Sequence, residues 1–441
     1  MEAPRVLILC TWFPPVNAPG ARRPYQLARC LVDQGWQVSV LTSTPESATA
    51  PYGALAGMRI LRTPRTAATH DLNTPQRWLL RAVNGTKGSW LNGPIRVLAD
   101  LLLPFRHSLR WDLSPARIEA EFGPQDIVVA TSPDPSVFET GARLARHWNA
   151  TWAVDYRDPW NVALPRVAKD IITHQGTGLA GALRRWHMAR LERRWCGHAH
   201  LMTAVSKAFL ANAQAVTGNR NGAVVHGGFD AGIRPGPRVQ GEHFILAHTG
   251  QLYPEQPWDV FIRALVDLRH AEPELADSLR VRFIGPFSTN KQVMDELRRA
   301  SILTNLIDTV PTLPPAEALA AQQDADELLQ LALTGRQGYL PVKFLEYLGA
   351  ARPILLLSNE QDEMEEALTA TRTGDIVRST REVVDHLTLR LRAHQARAPI
   401  PYSPDERALD LFRYDHNMRQ WARHLAGARE RHAAASSTTL K

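Results

Sequence analysis

The sequence predicts an α/β protein built from two doubly wound domains. A pattern of strand, loop, helix and second strand opens the chain over 5–42 and starts again at 244, after a stretch rich in Gly, Pro and Arg. Apolar runs of strand length, such as 353–357 (PILLL), are unbroken, which is typical of parallel strands buried on both faces. A chain of 441 residues holds two domains of ordinary size, each with a sizeable core.

These patterns set the expected domain boundaries. We expect the first domain to end where 223–230 (AVVHGGFD) makes a turn, and the Gly/Pro/Arg-rich stretch that follows to be a linker. The last ten or so residues, AAASSTTLK with its flank, lack the apolar content of a packed segment. The expected parts are a Rossmann-like domain over 1–232, a linker over 233–242, a second Rossmann-like domain over 243–402, a helix over 403–430 and a disordered tail over 431–441.

Composition narrows the class of protein. A formal net charge of +7 permits nucleic acid or anionic lipid as a partner without showing either, and we expect no nucleic acid partner. Three cysteines are scattered without metal-ligand spacing and cannot all pair, which indicates a reducing compartment. The apolar stretch at the N-terminus is too short for a signal peptide or a spanning helix, and we read it as the first strand. No HExxH, paired CxxC or Walker loop occurs, and we expect no metal and no organic cofactor. The cysteine pattern leads us to expect a cytoplasmic protein.

The first domain offers candidate residues after two of its strands. The loop FPPVNAPGA follows the strand VLILC, and Gly20 lies where that loop becomes a helix, so the backbone there is able to approach a ligand closely. Arg22 and Arg23 begin the helix and either meet a phosphate group of a ligand or lie on the solvated surface. The strand at 151–155 runs into DYRDPW, and ligands of open parallel sheets bind at the carboxyl ends of strands. We therefore assign Arg157 and Asp158 to catalysis, with a loop pinned by an internal Arg–Asp pair as the structural alternative.

The second domain contains the most informative stretch, GYLPVKFLEYLGAARPILLL. Pro341 predicts the start of a helix, and Lys343 and Glu346 project from one side of it, close to its N-terminus. A helix N-terminus with an added Lys charge favours phosphate, and a Glu one turn later is able to accept two hydrogen bonds from the vicinal hydroxyls of a ribose. The pattern indicates a nucleotide site, with a surface Lys–Glu pair as the alternative.

The run PVKFLEYLGAARPIL resembles the donor-binding segment of glycosyltransferase family 4, which comprises retaining enzymes of GT-B architecture. This resemblance implies two Rossmann-like domains facing a central cleft, with Glu346 on the ribose of a nucleotide-diphosphate sugar. DYRDPW resembles a signature of one branch of that family. The order of opening strand, Pro-loop, glycine and helix resembles the opening of family 4 enzymes in general, with the two arginines at the helix start as candidates for an acceptor phosphate. Many members carry a second Glu eight positions before the first, where this chain has Gly338, so recognition of the donor sugar departs from the family pattern.

The resemblance also implies which glycines and loop residues contact the donor. Gly250 and Gln251 follow the strand FILAHT, and Gly285 ends the strand RVRFI, so we assign all three to donor binding together with Gly338 and Gly20. Family members carry an Arg and a Lys for the diphosphate in the first of these loops. This chain has Gln251 and Gln256 there, which leaves Lys343 and helix dipoles to neutralise the diphosphate.

Three functions fit these patterns. The first is a retaining glycosyltransferase of polysaccharide or glycolipid assembly, the second another GT-B enzyme such as a nucleotide-sugar epimerase, and the third a non-catalytic binding partner with the same scaffold. The order of motifs in both halves favours the first.

One further segment bears on the acceptor. Over 76–117, seven basic and two acidic residues are interleaved with Trp and Leu, a composition suited to an interfacial membrane element or, equally, to a packed helical insertion. Family members often use lipid-linked acceptors, so we expect a lipid-linked acceptor and attachment to the inner, anionic face of the membrane. The helix predicted over 179–196 is strongly basic, and we expect Trp186, Leu191 and Trp195 to pack in the core.

Overall fold

The computed structural model describes most of the chain. It covers residues 3–16, 19–45, 55–63, 66–67, 78, 81–82, 85, 94–95, 98, 109–110, 115–131, 134–167, 178–230, 240–285 and 291–439. Contacts divide the chain into two compact units, the first comprising Met1–His226 and Asn417–Lys441, the second Gly227–His416. Most of the predicted linker at 233–242 lies outside the described residues, as does most of the basic segment at 76–117.

The first unit contains a seven-stranded parallel sheet. Its strands follow the spatial order β3-β2-β1-β6-β7-β8-β9, so the chain builds outward from β1 in one direction and then crosses to β6 on the other side. The strands are β1 (Arg5–Cys10), β2 (Gln37–Ser43), β3 (Met58–Thr63), β6 (Ile127–Thr131), β7 (Thr151–Tyr156), β8 (Leu201–Ala204) and β9 (Gly222–Val224), and the short strands β4 (Thr66–Ala67) and β5 (Leu109–Arg110) pair antiparallel apart from them.

Helices connect these parallel strands. They are α1 (Pro19–Asp33), α2 (Pro115–Phe122), α3 (Ser136–His147), α4 (Gly178–Cys196) and α5 (Lys207–Thr217). Strands β1, β6 and β7 are almost completely buried, which explains why they read as continuous apolar runs rather than as alternating ones.

The second unit repeats the same plan with six parallel strands. Their order is β12-β11-β10-β13-β14-β15, again with a reversal beside the first strand of the unit. The strands are β10 (Phe244–Thr249), β11 (Leu279–Ile284), β12 (Ile307–Val310), β13 (Glu327–Leu331), β14 (Ile354–Leu357) and β15 (Gly374–Val377). The helices are α6 (Trp258–Ala271), α7 (Pro273–Ala276), α8 (Lys291–Thr304), α9 (Pro315–Gln323), α10 (Val342–Ala350), α11 (Glu363–Thr371), α12 (Thr380–Gln395), α13 (Glu406–Asp410) and α14 (Tyr414–Thr439).

The fold class predicted from the sequence is confirmed, because both units are Rossmann-like α/β sheets. The apolar run at 353–357 is strand β14, whose four residues are all buried. Within each unit, the reversal of strand order lies between β1 and β6 or between β10 and β13, and ligands of such sheets bind at the carboxyl ends of strands at this reversal.

The end of the chain departs from expectation in two respects. The helix predicted over 403–430 is interrupted, because the backbone of Arg413 pairs with Phe229 and the Tyr414 N–H donates to the Phe229 carbonyl. The tail predicted to be disordered from 431 instead continues α14 to Thr439. Alanine has the highest helix propensity, so the run of three alanines at 433–435 extends a helix that is already anchored by buried Trp421 and Leu425.

Candidate functional site

Two glycines shape the edge of the second sheet where β10 and β11 end. Gly250 has φ +91° and Gly285 has φ +66°, in the left-handed region that favours glycine. The Gly250 N–H donates to the Ile284 carbonyl (2.8 Å) and the Gly285 N–H to the Val310 carbonyl (2.9 Å), so each peptide is still tied to the neighbouring strand. Both glycines therefore turn the chain sharply at the carboxyl end of the sheet.

Helix α10 begins beside this edge and carries Lys343 in its first turn. The Lys343 Nζ lies 3.2 Å from the His248 Nε2 and 3.2 Å from the Gln251 carbonyl oxygen. A Cβ on Gly250 would lie 3.9 Å from both the Cδ and the Nζ of Lys343, so the lysine covers the Gly250 turn. Burial lowers the pKa of the Lys343 amine to about 8.

The remainder of α10 is fastened to the sheet by its buried face. The Thr249 N–H donates to the Tyr347 hydroxyl (2.7 Å), and burial raises the pKa of that hydroxyl to about 12. Gly349 lies against the Phe229 ring, and a Cβ there would approach the ring within 2.7 Å. Glu346, one turn after Lys343, is half-buried. The buried face of α10 thus fixes the helix that carries Lys343 beside the end of β10.

The two glutamines at the predicted diphosphate loop have different roles. Gln256 is buried; it accepts a hydrogen bond from the Tyr253 N–H (2.8 Å) and donates to the Leu331 carbonyl (3.0 Å). The exposed Gln251 contributes its backbone carbonyl to Lys343, as described above. Gln256 thus holds the loop to β13 through two hydrogen bonds.

Gly338 occupies a turn that disfavours any other residue. Its φ is +76°, and its N–H donates to the Asp362 Oδ2 (3.1 Å). Burial raises the pKa of Asp362 to about 6. A glutamate at 338 would adopt the left-handed conformation at a cost of about 1 kcal/mol or more, so this turn favours glycine.

In the first unit, Arg23 and Asp155 form a buried ion pair. Arg23 donates through Nε to Oδ2 of Asp155 (2.9 Å) and through Nη2 to Oδ1 (2.8 Å), and both side chains are at most 4% exposed. Thr131 and Thr203, the neighbours of Asp155 in β6 and β8, each donate a hydroxyl to it at 2.7 Å. Arg23 also donates to the His226 carbonyl (3.0 Å) and stacks on Trp421.

This pair corrects the assignment of Arg23 to acceptor binding. The helix begins at Pro19, three residues earlier than predicted, and its phase turns Arg23 inward while Arg22 stays half-buried. Arg23 therefore fixes α1 and α14 to the sheet, whereas the role of Arg22 stays a prediction.

Gly20 and Arg157 contact one another in the structure. The sequence predicted a site residue at each position but not the contact between them. The Arg157 guanidinium donates to the Gly20 carbonyl at 3.0 Å. A Cβ on Gly20 would lie 2.3 Å from the Trp12 ring and 2.7 Å from the Arg157 Nη1, so the glycine makes room for these two side chains. Asp158 is half-buried in the same loop after β7. Arg157 and Asp158 thus lie at the carboxyl edge of the first sheet.

Among the described residues, the side chains of Glu327, Asp375 and His386 are close enough to hold a metal ion. The Arg390 Nη2 already lies 2.7 Å from Asp375 and 3.4 Å from Glu327, which places a positive charge between the carboxylates. Glu327 is the first residue of β13, at the end of the sheet opposite Gly250 and Gly285. The group is an ion-pair network at the opposite end of the sheet from Lys343 and the two glycines.

The described part of the basic segment includes Trp78 and Leu98, which are 68% and 49% exposed. Helix α4 departs from its prediction, since Trp195 is buried but Trp186 is 60% exposed. No helix in the described ranges is long and apolar enough to cross a membrane.

Comparisons with known proteins identify the fold. Residues 261–423 match a family model described as glycosyl transferase-like. No curated protein matches the chain. Solved structures with the same fold include HepE of Anabaena in complex with UDP (TM-score 0.59, 14% identity, covering 96% of this chain and 100% of that one). Sucrose-phosphate synthase of Thermosynechococcus elongatus is similar too, with a TM-score of 0.61 and 13% identity over 95% of this chain and 98% of that one. A glycosyltransferase of Rickettsia africae has a TM-score of 0.58 and 12% identity over 96% of this chain and 98% of that one. The fold is GT-B.

Sequence reasoning missed His248, Trp12 and Asp362. A signal was present for His248, because a polar residue interrupts the apolar strand FILAHT directly before the Gly250 turn. The packing of Trp12 on Gly20 and the bond from Gly338 to Asp362 join residues that no local pattern connects.

Proposed function

We propose that the protein is a retaining glycosyltransferase that moves a sugar from a nucleotide-diphosphate sugar to an acceptor in polysaccharide or glycolipid assembly. The observation that carries this proposal is the arrangement at the carboxyl edge of the second sheet. Lys343 lies in the first turn of α10, over the Gly250 turn, with Glu346 one turn later. The match to a glycosyl transferase-like model over 261–423 includes α10 and the end of β11, while the Gly250 turn precedes it.

The chemistry of the edge suits a nucleoside diphosphate. The free N–H groups and partial positive charge of a helix N-terminus attract phosphate, and the Lys343 ammonium adds a full charge. Since Gln256 supplies no charge, Lys343 and α10 take the neutralising role without a metal ion. Glu346 accepts the ribose hydroxyls. HepE, which has the same fold, has been solved with UDP, so UDP is the first nucleotide to test.

Removing either charged side chain of α10 is expected to weaken nucleotide binding. Glu346→Ala leaves the ribose hydroxyls without a charged acceptor, which costs roughly 1.5–3 kcal/mol, about tenfold to a hundredfold in affinity. Lys343→Ala should weaken UDP more than uridine, and the wild-type affinity for UDP should fall as the pH rises through about 8, where the amine loses its proton. Titration calorimetry measures these affinities. Unchanged UDP affinity in both variants would contradict the assignment of Lys343 and Glu346 to nucleotide binding.

Transfer itself is tested by incubation of the purified protein with sugar nucleotides and candidate acceptors. We expect the mass of one acceptor to increase by one sugar residue, with the anomeric configuration of the donor retained in the product, as NMR reports. An epimerase would instead change the sugar nucleotide in the absence of any acceptor. A non-catalytic partner would bind the nucleotide but would convert neither the sugar nucleotide nor the acceptor.

Acceptor binding belongs to the first unit in this proposal, and the acceptor is lipid-linked. Arg22 meets the acceptor phosphate, and Arg157 orients the acceptor or Asp158. Leu179, Leu183 and Trp186 recur at helical spacing on α4 and are 79%, 37% and 60% exposed. The same helix carries five arginines, namely Arg184, Arg185, Arg190, Arg193 and Arg194. Exposed Trp and Leu beside basic side chains suit attachment to an anionic bilayer surface on the cytoplasmic side.

We expect the protein to float with anionic liposomes and not with neutral ones, and to detach as salt rises. Each basic side chain near an anionic surface contributes about 1 kcal/mol, and exposed charges are screened within roughly 8 Å at physiological ionic strength. Trp186→Ser and Trp78→Ser should each lower flotation without loss of folding. Ile302→Ser is the matched control, because Ile302 is 82% exposed on α8 of the second unit. Equal and negligible flotation with both lipids would favour a soluble acceptor.

A further inference from the structure

His248 is a buried imidazole near the end of β10, in contact with Lys343 of the proposed nucleotide site. Its side chain is completely buried, and its Nδ1 lies 2.9 Å from the Leu329 carbonyl oxygen of β13. A carbonyl oxygen only accepts, so Nδ1 carries the proton. The Nε2 lies 3.2 Å from the Lys343 Nζ.

The protonation state of His248 follows from its surroundings. Lys343 on α10 is the charged group that faces the imidazole, while the carbonyls of Leu329, Gly250 and Gln251 face it from β13 and the loop after β10. Burial, together with the Lys343 charge, lowers the pKa of His248 well below its ordinary value. A neutral imidazole protonated on Nδ1 has a lone pair on Nε2, directed at the ammonium of Lys343.

We infer that His248 is a positioning residue whose Nε2 accepts a hydrogen bond from the Lys343 ammonium and holds that charge over the Gly250 turn for the diphosphate. The inference rests on the proposed nucleotide site. The ammonium has three N–H groups. His248 and the Gln251 carbonyl take two of them, and the third is left for a phosphate oxygen.

This arrangement has a physical advantage for the half-buried Lys343 ammonium. A neutral acceptor stabilises the ammonium, which burial disfavours, without cancelling its charge as a carboxylate would. An unheld lysine side chain also has to be ordered when a ligand binds, and that ordering weakens affinity. His248 therefore supports both the charge and the position of Lys343.

Two substitutions separate the acceptor role of His248 from its packing role. In His248→Asn, the short amide is able to donate to the Leu329 carbonyl in place of Nδ1, but no acceptor reaches Lys343. In His248→Gln, the longer amide places an oxygen where Nε2 lies. We expect His248→Asn to lower the pKa of Lys343, followed by carbon-13 NMR of its Cε, by about one unit. The affinities for UDP and for inorganic pyrophosphate at pH 7.5 should fall about fivefold to tenfold. His248→Gln should restore both toward the wild-type values.

The outcomes test the hydrogen bond between His248 and Lys343 separately from the proposed function. An unchanged Lys343 titration in folded His248→Asn overturns the inference. So does a nitrogen-15 spectrum of the wild-type protein that shows His248 protonated on Nε2 at neutral pH, a measurement that needs no variant. If the Lys343 titration shifts as expected but the wild-type protein binds neither UDP nor pyrophosphate, the hydrogen bond is supported and the proposed nucleotide site is refuted.

Discussion

Asp158→Asn is expected to reduce turnover by roughly 100- to 1000-fold while leaving the affinity for the nucleotide sugar nearly unchanged. Retention of configuration passes through an oxocarbenium-like state, whose positive charge a carboxylate stabilises more than a neutral amide does. Asparagine has almost the shape of aspartate, so the loop after β7 should keep its structure. The nucleotide-binding residues proposed above belong to the second unit and are untouched by the change.

The measurement is steady-state kinetics with calorimetry of the donor on the same samples. Asp126→Asn makes the same chemical change at the amino end of β6, where Asp126 accepts a hydrogen bond from the Arg5 N–H (2.8 Å), and should leave turnover within about twofold. Turnover like that of the wild-type protein in Asp158→Asn would reduce DYRDPW to a structural loop. A parallel loss of donor affinity would instead indicate that the substitution disturbs folding.

DYRDPW shows what the sequence conveys and where it fails. The motif was predicted to lie at the carboxyl end of a strand, and β7 ends within it, at Tyr156. Asp155 and Asp158 both belong to this motif, and the local sequence does not distinguish their roles. Asp155 is buried because its register places it between Thr131 and Thr203, which are 24 and 48 residues away along the chain. Such long-range neighbours are not visible in a local pattern, so only the structure separates the structural aspartate from the candidate catalytic one.

The same limit applies to the second unit. The helix start at Pro341 and the strand β14 follow from local rules of backbone conformation, and the sequence predicted both of them. Contacts between distant segments were not predictable in this way. The Lys343–His248 bond joins residues 95 positions apart, and Gln256 binds the Leu331 carbonyl 75 positions away. Fold class follows from the periodicity of apolar residues, so the sequence predicts it. The partner of a side chain depends on how whole elements pack, which the local sequence does not show.

Breaking the Arg23–Asp155 pair is expected to destabilise the first unit by about 3–5 kcal/mol. Removing one member of a buried ion pair leaves the other charge in a dry environment without compensation. Arg23→Met keeps much of the side-chain volume but leaves the Asp155 carboxylate with only its two threonine hydroxyls. Asp155→Asn leaves the Arg23 guanidinium against the Trp421 ring and the His226 carbonyl.

Native-state hydrogen exchange resolves this effect unit by unit. Amides of β6, β7 and β8 should lose protection in both variants, while amides of β10, β13 and β14 serve as an internal reference in the second unit. Arg263→Met is the matched control, because Arg263 pairs with Asp259 at 2.9 Å on the exposed face of α6, where a pair contributes less than about 1 kcal/mol. The double variant Arg23→Met, Asp155→Asn should cost less than the sum of the single changes, since neither buried charge then remains unpaired. If Arg23→Met cost no more than Arg263→Met, the guanidinium would be dispensable to the fold, and its assignment to acceptor binding would have to be reopened.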